Sequence, residues 1–293
     1  MRILSSDSFR TAALLVATSL PTAALAVDGV IEINQARALA GSVTPGDTMG
    51  FPVNIGVSGS YRLTGNLTVP DEGTSGLVVT ASDVTIDLNG FSILGPTVCT
   101  GGPPVTACAP TGGGNGIDNT LGTPPIGLTV KNGTIRGMGF RGINATAEVR
   151  VENVRVESNG GFGISGAGSM MVVRCEVFRN GNAGINGNGV LTVIGSVIAG
   201  NKVAGVTTNA TTDKATILDS TFTANVVGIG LTGGGLVRGN LISGSTSFAM
   251  LLGGSVATYA GYYGNAIYGS GVGGQVLNGL NLGTNICNGA ACP

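Results

Sequence analysis

Apolar residues recur at a spacing of 21 residues through the middle of the chain, and this repeat organises the sequence. Within each unit they alternate with other residues, as in Val149-x-Val151 and Val154-x-Val156. Alternation with a period of two predicts short β-strands rather than helices. Aligned units give four apolar columns: Leu128, Val149, Met170 and Leu191; Val130, Val151, Val172 and Val193; Ile135, Val156, Val177 and Ile198; and Ile143, Ile164, Ile185 and Val206.

Two further columns consist of small or turn-forming residues. Asn and Gly accept the left-handed backbone of turns, so these columns mark corners between strands. They comprise Asn159, Asn180 and Asn201, joined by Asn225 after a three-residue insertion, and Gly142, Gly163, Gly184 and Gly205. One unit cannot bury its apolar side chains alone, whereas stacked units align each column with steps of about 4.8 Å. The pattern predicts an all-β fold, a parallel β-helix.

A leucine-rich repeat is the competing solenoid, because Val154-x-Val156-x-x-Asn159 fits its consensus. That fold requires a helical segment in the rest of each unit. Here the rest is rich in Gly, as in GGFGISGAGS, and Gly opposes helix formation. We therefore expect the β-helix.

The two ends of the chain depart from the repeat. The first residues contain a short apolar run and an A-x-A site before Val27, which is typical of a secretory signal peptide. This run is too short to span a bilayer. The segment 33–41 is the one convincing helix candidate after it. The expected units are a signal peptide at 1–26, an N-terminal cap at 27–59, a β-helix at 60–271 with a loop insertion at 96–125, and a C-terminal closure at 272–293.

Composition narrows the classes of function. The chain has 53 Gly, no His and no Trp, 10% charged residues and a net charge of −1. Without a basic stripe or an Arg-rich run, nucleic-acid binding has little support. We expect no cofactor, no metal site and no membrane span in the mature chain.

The cysteines fit a secreted protein with local disulfides. Cys99 and Cys108 bracket a loop rich in Pro and Gly, and Cys287 and Cys292 bracket NGAA. Both spacings predict disulfides that hold loops closed. Cys175 falls in a column of small inward residues, and we expect a buried, inert thiol there.

The segment VTIDLNGFSILG, followed by repeated GI…V-x-V…NG units, resembles the right-handed parallel β-helix repeat proteins of the pectate-lyase-like superfamily. The resemblance spans about residues 60–271. It implies a single-stranded right-handed coil, which we expect to have about eight to ten turns and a short N-terminal capping helix. It also implies extracellular carbohydrate as the ligand class. It does not imply catalysis, because the superfamily includes enzymes and proteins of no known activity.

Charged residues give little support for a catalytic site. Asp83 and Asp87 are the closest pair of Asp residues, and a spacing of four along a strand separates them by about 13 Å, which is long for a hydrolase pair. Arg150 and Arg174 lack a partner at the 21-residue offset. The other charges of the densest cluster form pairs of opposite sign at that offset, as expected on a solvated sheet face: Lys131 with Glu152, Arg136 with Glu157, and Arg155 with Glu176.

A column of small, uncharged polar residues lies beside the Ile143 column. Its members are either solvent-facing strand residues without a ligand or a face that hydrogen-bonds glycan hydroxyls. A Tyr cluster near the C-terminal end, with Tyr259 and Tyr268 among its members, either stacks on sugars or covers the last coil. The candidate glycan-binding residues are Asn144, Ser165, Asn186, Thr207, Tyr262, Tyr263, Arg150 and Arg174.

The sequence leads to three functional hypotheses. The leading one is a non-catalytic β-helix scaffold that is secreted, periplasmic or on the cell surface and associates with an extracellular polysaccharide. The first alternative is a carbohydrate-active enzyme, a polysaccharide lyase or epimerase with a divergent site. The second is a subunit of a homo-oligomeric fibre or spike, which requires self-association.

Overall fold

The alternating apolar segments form strands that wind into a right-handed parallel β-solenoid of about 11 turns with almost no helix. A computed structural model describes residues 29–121, 125–253, 260–271 and 273–292. The all-β fold class is confirmed. The turn count is slightly above the expected eight to ten, because strands begin at Ile31, before residue 60, and continue to Ala291, past residue 271. The predicted signal peptide at 1–26 lies outside the described residues.

Thirty strands and one short helix, α1 (Gln35–Ala40), follow one another in the described residues. The first ten strands are β1 (Ile31–Ile33), β2 (Val53–Ile55), β3 (Gly59–Leu63), β4 (Leu67–Thr68), β5 (Leu77–Val79), β6 (Val84–Asp87), β7 (Ser92–Leu94), β8 (Val98–Thr100), β9 (Ala107–Ala109) and β10 (Ile117–Asp118). The next ten are β11 (Leu128–Arg136), β12 (Ile143–Ala145), β13 (Val149–Glu157), β14 (Ile164–Val173), β15 (Glu176–Phe178), β16 (Ile185–Ile194), β17 (Val197–Ala199), β18 (Ala204–Thr208), β19 (Lys214–Leu218) and β20 (Thr221–Thr223). The last ten are β21 (Val227–Leu231), β22 (Gly234–Arg238), β23 (Leu241–Ser243), β24 (Phe248–Leu252), β25 (Gly261–Tyr263), β26 (Ala266–Tyr268), β27 (Gly274–Asn278), β28 (Leu280–Asn281), β29 (Ile286–Cys287) and β30 (Ala290–Ala291).

Parallel pairing sorts these strands into three ladders that run along the coil axis, and the longest strands bend from one ladder into the next. Ladder A contains β2, β5, β10, β12, β14, β16, β18, β21, β24 and β27. Ladder B contains β1, β3, β6, β11, β13, β14, β16, β19, β22, β25 and β28. Ladder C contains β4, β7, β11, β13, β15, β17, β20, β23, β26 and β29.

The predicted apolar columns face a common interior. Ile143 pairs with Ile164, and Ile164 with Ile185, in the register that the 21-residue offset predicts. All three side chains are fully buried. Burial of each such side chain contributes about 1.5–3 kcal/mol, so the stacked columns are the main source of stability.

The Asn column also points inward, contrary to the expectation of a turn-forming role. Asn159 and Asn180 are fully buried, and the left-handed corner residues are those immediately before them, Ser158 and Arg179, each with φ of 55°. The Asn180 Oδ1 accepts hydrogen bonds from the Asn159 backbone N–H at 3.1 Å and from its Nδ2 at 2.9 Å. Strand pairing is interrupted at the corner, and the inward amide side chain supplies the hydrogen bonds that a neighbouring strand would otherwise give.

A second inward polar column begins at Cys175, whose thiol is buried as predicted. Its backbone N–H donates to the Ser196 Oγ at 3.1 Å, and the same contact repeats from Ser196 to Ser220. Burial is the main cause that raises the pKa of the Cys175 thiol from 9.0 to about 11. The thiol is therefore neutral, and unreactive as a nucleophile, at neutral pH.

The N-terminal helix forms where the sequence predicts it and caps the first coil. The Asn34 side chain accepts a hydrogen bond from the Arg37 N–H at the helix start, and Gly41 ends the helix with a φ of 74°. The Gln35 side chain pairs with the backbone of Thr68 in β4 through two hydrogen bonds, at 3.2 and 2.8 Å. A side chain from the helix thus satisfies the free edge of the first strand in ladder C.

The insertion after β7 lies flat across the coil. Its strands β8 and β9 form an antiparallel hairpin that the Cys99–Cys108 disulfide closes. The Thr97 N–H donates to the Gly137 carbonyl at 2.8 Å, and the Val105 N–H donates to the Gly200 carbonyl at 3.0 Å. The hairpin therefore spans the ladder C corners of successive coils.

The C-terminal closure contains strands of the last coil as well as a hairpin. Strands β27, β28 and β29 each extend a ladder, and β30 turns back antiparallel to β29. The predicted Cys287–Cys292 disulfide joins the two sides of this hairpin.

Candidate functional site

The polar column of ladder A lies in the register that the sequence predicts, but its side chains are largely buried. Asn144 pairs with Ser165 and Ser165 with Asn186 along the ladder. Their relative exposures are only 9%, 4% and 3%. They form the floor of a groove of about 400 Å³, with Arg141, Phe162, Asn188 and Asn209 among its other lining residues. We call this surface the ladder A groove.

Amide side chains connect the floor of the ladder A groove to its wall. The Asn209 Nδ2 donates to the Asn186 Oδ1 at 2.8 Å and to the Asn188 Oδ1 at 2.7 Å. The Asn186 Nδ2 in turn donates to the Ser165 Oγ at 3.3 Å. These contacts fix the orientation of the amides before any ligand arrives, which lowers the entropic cost of binding.

Arg141 closes one end of the groove and was not among the predicted site residues. Its guanidinium lies over the Phe140 ring, 4.5 Å from the centroid, and 5.6 Å from the centroid of Phe162. It donates a hydrogen bond to the Asn144 Oδ1. Burial lowers the pKa of Arg141, and the nearby Asp118 carboxylate opposes that shift. Its Nε is buried without a hydrogen-bond partner among the described residues.

Asp118 extends the same column one coil further, because it pairs with Asn144 in the register of ladder A. Its carboxylate accepts hydrogen bonds from the Asn115 Nδ2 at 2.8 Å and from the Thr120 N–H and hydroxyl at 3.0 and 2.7 Å. The Asn144 Nδ2 also lies 3.4 Å from it. The carboxylate is buried and fixed, which suits a positioning role beside Arg141.

Thr207 is half-buried in the next coil, where the surface becomes apolar. It lines a smaller cavity of about 160 Å³ with Val227, Leu231 and Leu251. The structure thus brings together three of the four predicted polar residues in one groove. The fourth, Thr207, lies at the transition to an apolar surface.

Arg150 and Arg174 are not free, which corrects the expectation drawn from the 21-residue offset. The Arg150 Nη2 lies 2.9 Å from the Glu152 Oε2, and Arg174 also pairs with Glu152. These contacts lower the pKa of Glu152, with the hydrogen bond from Arg150 as the main cause. Residues two apart on one strand face lie side by side, and the offset alone does not reveal such pairs. Arg150 lies on ladder B and Arg174 at the corner between β14 and β15, and neither lines the ladder A groove.

The other predicted charge pairs have the expected register, but only one makes the expected ion pair. Arg155 contacts Glu176 at 2.9 Å. It also holds Glu157 at 2.7 Å, in place of Arg136. Lys131 lies 3.9 Å from Asp87 rather than beside Glu152. These contacts form a solvated network on ladders B and C.

Of the two tyrosines proposed for sugar stacking, one is in the core. Tyr262 is 2% exposed and packs in the hydrophobic interior, because it occupies an inward position of β25. Tyr263 faces outward, where its hydroxyl accepts a hydrogen bond from Arg238 at 3.3 Å. Tyr259 lies outside the described residues. Tyr262 is therefore too deeply buried to stack on a sugar, whereas Tyr268 is exposed.

A second cleft, of about 420 Å³, lies between the Cys99–Cys108 hairpin and ladder C. Its charged lining is already engaged, because Arg179 donates to the Gly101 carbonyl at 3.1 Å and Glu157 pairs with Arg155. Within the described segments, no group of three or more His, Cys, Asp or Glu residues is placed to hold a metal ion. No helix in the described part of the chain has the length and apolar character to cross a membrane.

The architecture and a sequence comparison agree on the class of protein. Residues 112–247 match the family model described as "Right handed beta helix region". This match and the three parallel ladders both describe a right-handed parallel β-helix.

Among solved structures, the chain is similar to the A-module of mannuronan C-5 epimerase AlgE4 from Azotobacter vinelandii. The two share 14% sequence identity with a TM-score of 0.42, over 78% of this chain and 91% of that one. No curated protein sequence matches the chain.

Proposed function

We propose that this chain is a secreted, non-catalytic β-helix scaffold that associates with an extracellular polysaccharide through the ladder A groove. The observation that carries the proposal is the row of uncharged polar side chains on the groove floor, Asn144, Ser165 and Asn186. An amide both donates and accepts, so it matches a sugar hydroxyl, which does the same. The secreted destination rests on the leader-like first 26 residues and on the two disulfides.

The regular spacing of the floor supports a repeating ligand. Equivalent side chains recur once per coil, at the strand spacing of about 4.8 Å. A polymer with a repeating pattern of hydroxyls meets the same groups at each step, so several weak contacts add along one chain.

The position of Arg141 favours an acidic polysaccharide over a neutral one as the ligand. Its guanidinium group lies near the rings of Phe140 and Phe162, and Arg141 lines the groove. A ligand carboxylate beside it gains a charge-assisted hydrogen bond, which is stronger than a neutral one. Asp118 is already bound by three donors from Asn115 and Thr120. That engagement favours binding without turnover, since a general acid or base needs a free contact with the sugar.

The test measures binding of uronate-containing and neutral polysaccharides by calorimetry, with and without calcium. We expect the uronate polymers to bind more tightly. Asn186→Ala is expected to weaken binding about tenfold, because a lost hydrogen bond to the ligand costs about 1–1.5 kcal/mol. The matched control is Asn182→Ala, a half-buried amide outside the groove, which should bind as the native chain does.

Two results would overturn the proposal. Equal losses in Asn186→Ala and Asn182→Ala would remove the groove as the binding site, and so would no binding to any polymer. Cleavage and epimerisation are followed by product analysis of the same samples. Either reaction of a bound polymer would show that the protein is an enzyme.

A further inference from the structure

We infer that the C-terminal end of the solenoid is an interface for a second copy of this chain, and that two copies pair end to end through β27. The partner is identified by three properties of this end: outer strand edges that pair with no other strand of the described residues, a partly exposed core residue in ladder A, and the lack of charged side chains.

The two ends of the coil treat their strand edges differently. At the N-terminal end, side chains of the cap satisfy the first strands. The Thr44 hydroxyl donates to the Asn54 carbonyl of β2 at 2.7 Å, and the Asp47 carboxylate accepts from the Asn54 N–H at 2.8 Å. An Arg37 Nη1–H donates to the Glu32 carbonyl of β1 at 2.8 Å. These contacts block the addition of another strand there.

At the C-terminal end, β27 pairs with β24 and β28 pairs with β25, and neither has a partner strand on its outer edge within the described ranges. Only ladder C is closed, by the antiparallel strand β30. An unpaired edge presents a row of N–H and C=O groups that pairs readily with a strand of another chain. Residues 274–277 of β27 form the longer of the two edges.

In ladder A the core is also less covered at this end. In ladder A the inward residues Ile229 and Met250 are fully buried, whereas the next one, Val276 of β27, is only partly buried. Outward aliphatic side chains of the same coil are exposed as well. These residues are Leu277, Leu280, Leu282 and Ile286, with exposures from 42% to 58%.

The charge distribution points to a second copy as the partner. No Asp, Glu, Lys or Arg occurs after Arg238, so two such ends meet without like-charge repulsion. An end without charged side chains gives no electrostatic attraction to a charged partner. Two copies related by a two-fold axis perpendicular to the coil bring β27 against its own counterpart in antiparallel orientation, which is a standard sheet pairing. The pairing closes after two copies, because each N-terminal end is blocked.

The test is the mass of the full chain in solution, by light scattering over a range of concentrations. We expect a dimer of twice the chain mass that dissociates on dilution. The double variant Leu277→Lys/Leu280→Lys places like charges of both copies at the junction and should remain monomeric at every concentration. The matched control is Val190→Lys, an equally exposed aliphatic residue on ladder B in mid-coil, which should dimerise as the native chain does.

Far-ultraviolet circular dichroism of each variant checks that the coil is folded. If Leu277→Lys/Leu280→Lys does not fold, the single variant Leu277→Lys takes its place. A native chain that stays monomeric at all concentrations would overturn the inference. So would assemblies larger than two, or a dimer that persists in the folded lysine variants.

Discussion

Asn180 shows how a single inward side chain supports two coils at once. Its Oδ1 accepts from the backbone N–H and the side chain of Asn159, and its Nδ2 lies 3.0 Å from the Asn201 Oδ1. The backbone turns away from the ladder at this corner, so no strand pairing remains to satisfy these groups. A buried polar group without a partner costs about 1–3 kcal/mol, and the amide avoids that cost for several groups together.

Replacing that amide should therefore be severe. We expect Asn180→Ala to lower the free energy of unfolding by about 2–4 kcal/mol, because it leaves the Asn159 N–H buried without an acceptor. Urea denaturation followed by circular dichroism measures the change. Asn182→Ala serves as the control, since its side chain is half-buried and accepts from the adjacent Ala183 N–H. Equal effects of the two substitutions would show that the Asn column is not a stabilising ladder.

Arg141 illustrates what the repeat does not reveal at the scale of a residue. Its column continues as Phe162, Ala183 and Ala204, so an Arg at the first position is an exception to the pattern rather than part of it. That break in the column is the sequence feature that could have identified Arg141 as a site residue. Asp118 was missed for a different reason, since it lies 26 residues before its ladder partner Asn144, not 21.

At the scale of elements, the hairpin of β8 and β9 is held to the coil by few contacts. The hydrogen bonds of Thr97 and Val105 to corner carbonyls, together with those of Arg179 to the hairpin, are its main polar attachments. The Cys99–Cys108 disulfide closes the hairpin itself. A disulfide that closes a short loop contributes about 2–3 kcal/mol, so the hairpin depends on it more than the coil does.

We therefore expect Cys99→Ser/Cys108→Ser to open the hairpin while the coil stays folded. Thermolysin should cleave within 97–109 about tenfold faster than in the native chain, because local opening becomes more frequent. Mass spectrometry of the fragments locates the cut. In Cys287→Ser/Cys292→Ser the same segment should be cut at the native rate. Faster cleavage throughout the coil would contradict the prediction that opening is confined to the hairpin.

The elements that repeat were predictable, and those that end the repeat were less so. The columns of Val and Ile set the strands and their register, because a 21-residue offset admits only one alignment in the middle of the chain. Strands β1 and β2 were assigned to the cap instead, because each has only three residues and no neighbour at that offset. The sequence predicted the groove only as a row of residues. Its depth depends on Arg141 and Asn209, which line the groove beside that row.

At the scale of the molecule, the solenoid is asymmetric along its axis. Each coil contacts mainly the coils before and after it, so stability depends on both neighbours and falls at an uncovered end. The N-terminal end has a helix and side-chain caps, and the charged networks lie in the first half and middle of the coil. The last 55 residues, 239–293, carry no charged side chain, and β27 and β28 have no outer partner strand among the described residues.

This asymmetry predicts a gradient in amide hydrogen exchange. At low protein concentration, amides of β27 and β28 should exchange faster than those of β16 and β19, since they have one neighbouring coil instead of two. Amides of the capped strand β2 should be protected at every concentration. Raising the concentration should slow exchange in β27 but not in β16, because a second copy covers only that edge. Exchange that is uniform along the coil, or protection of β27 that does not change with concentration, would contradict the link between the uncovered end and self-association.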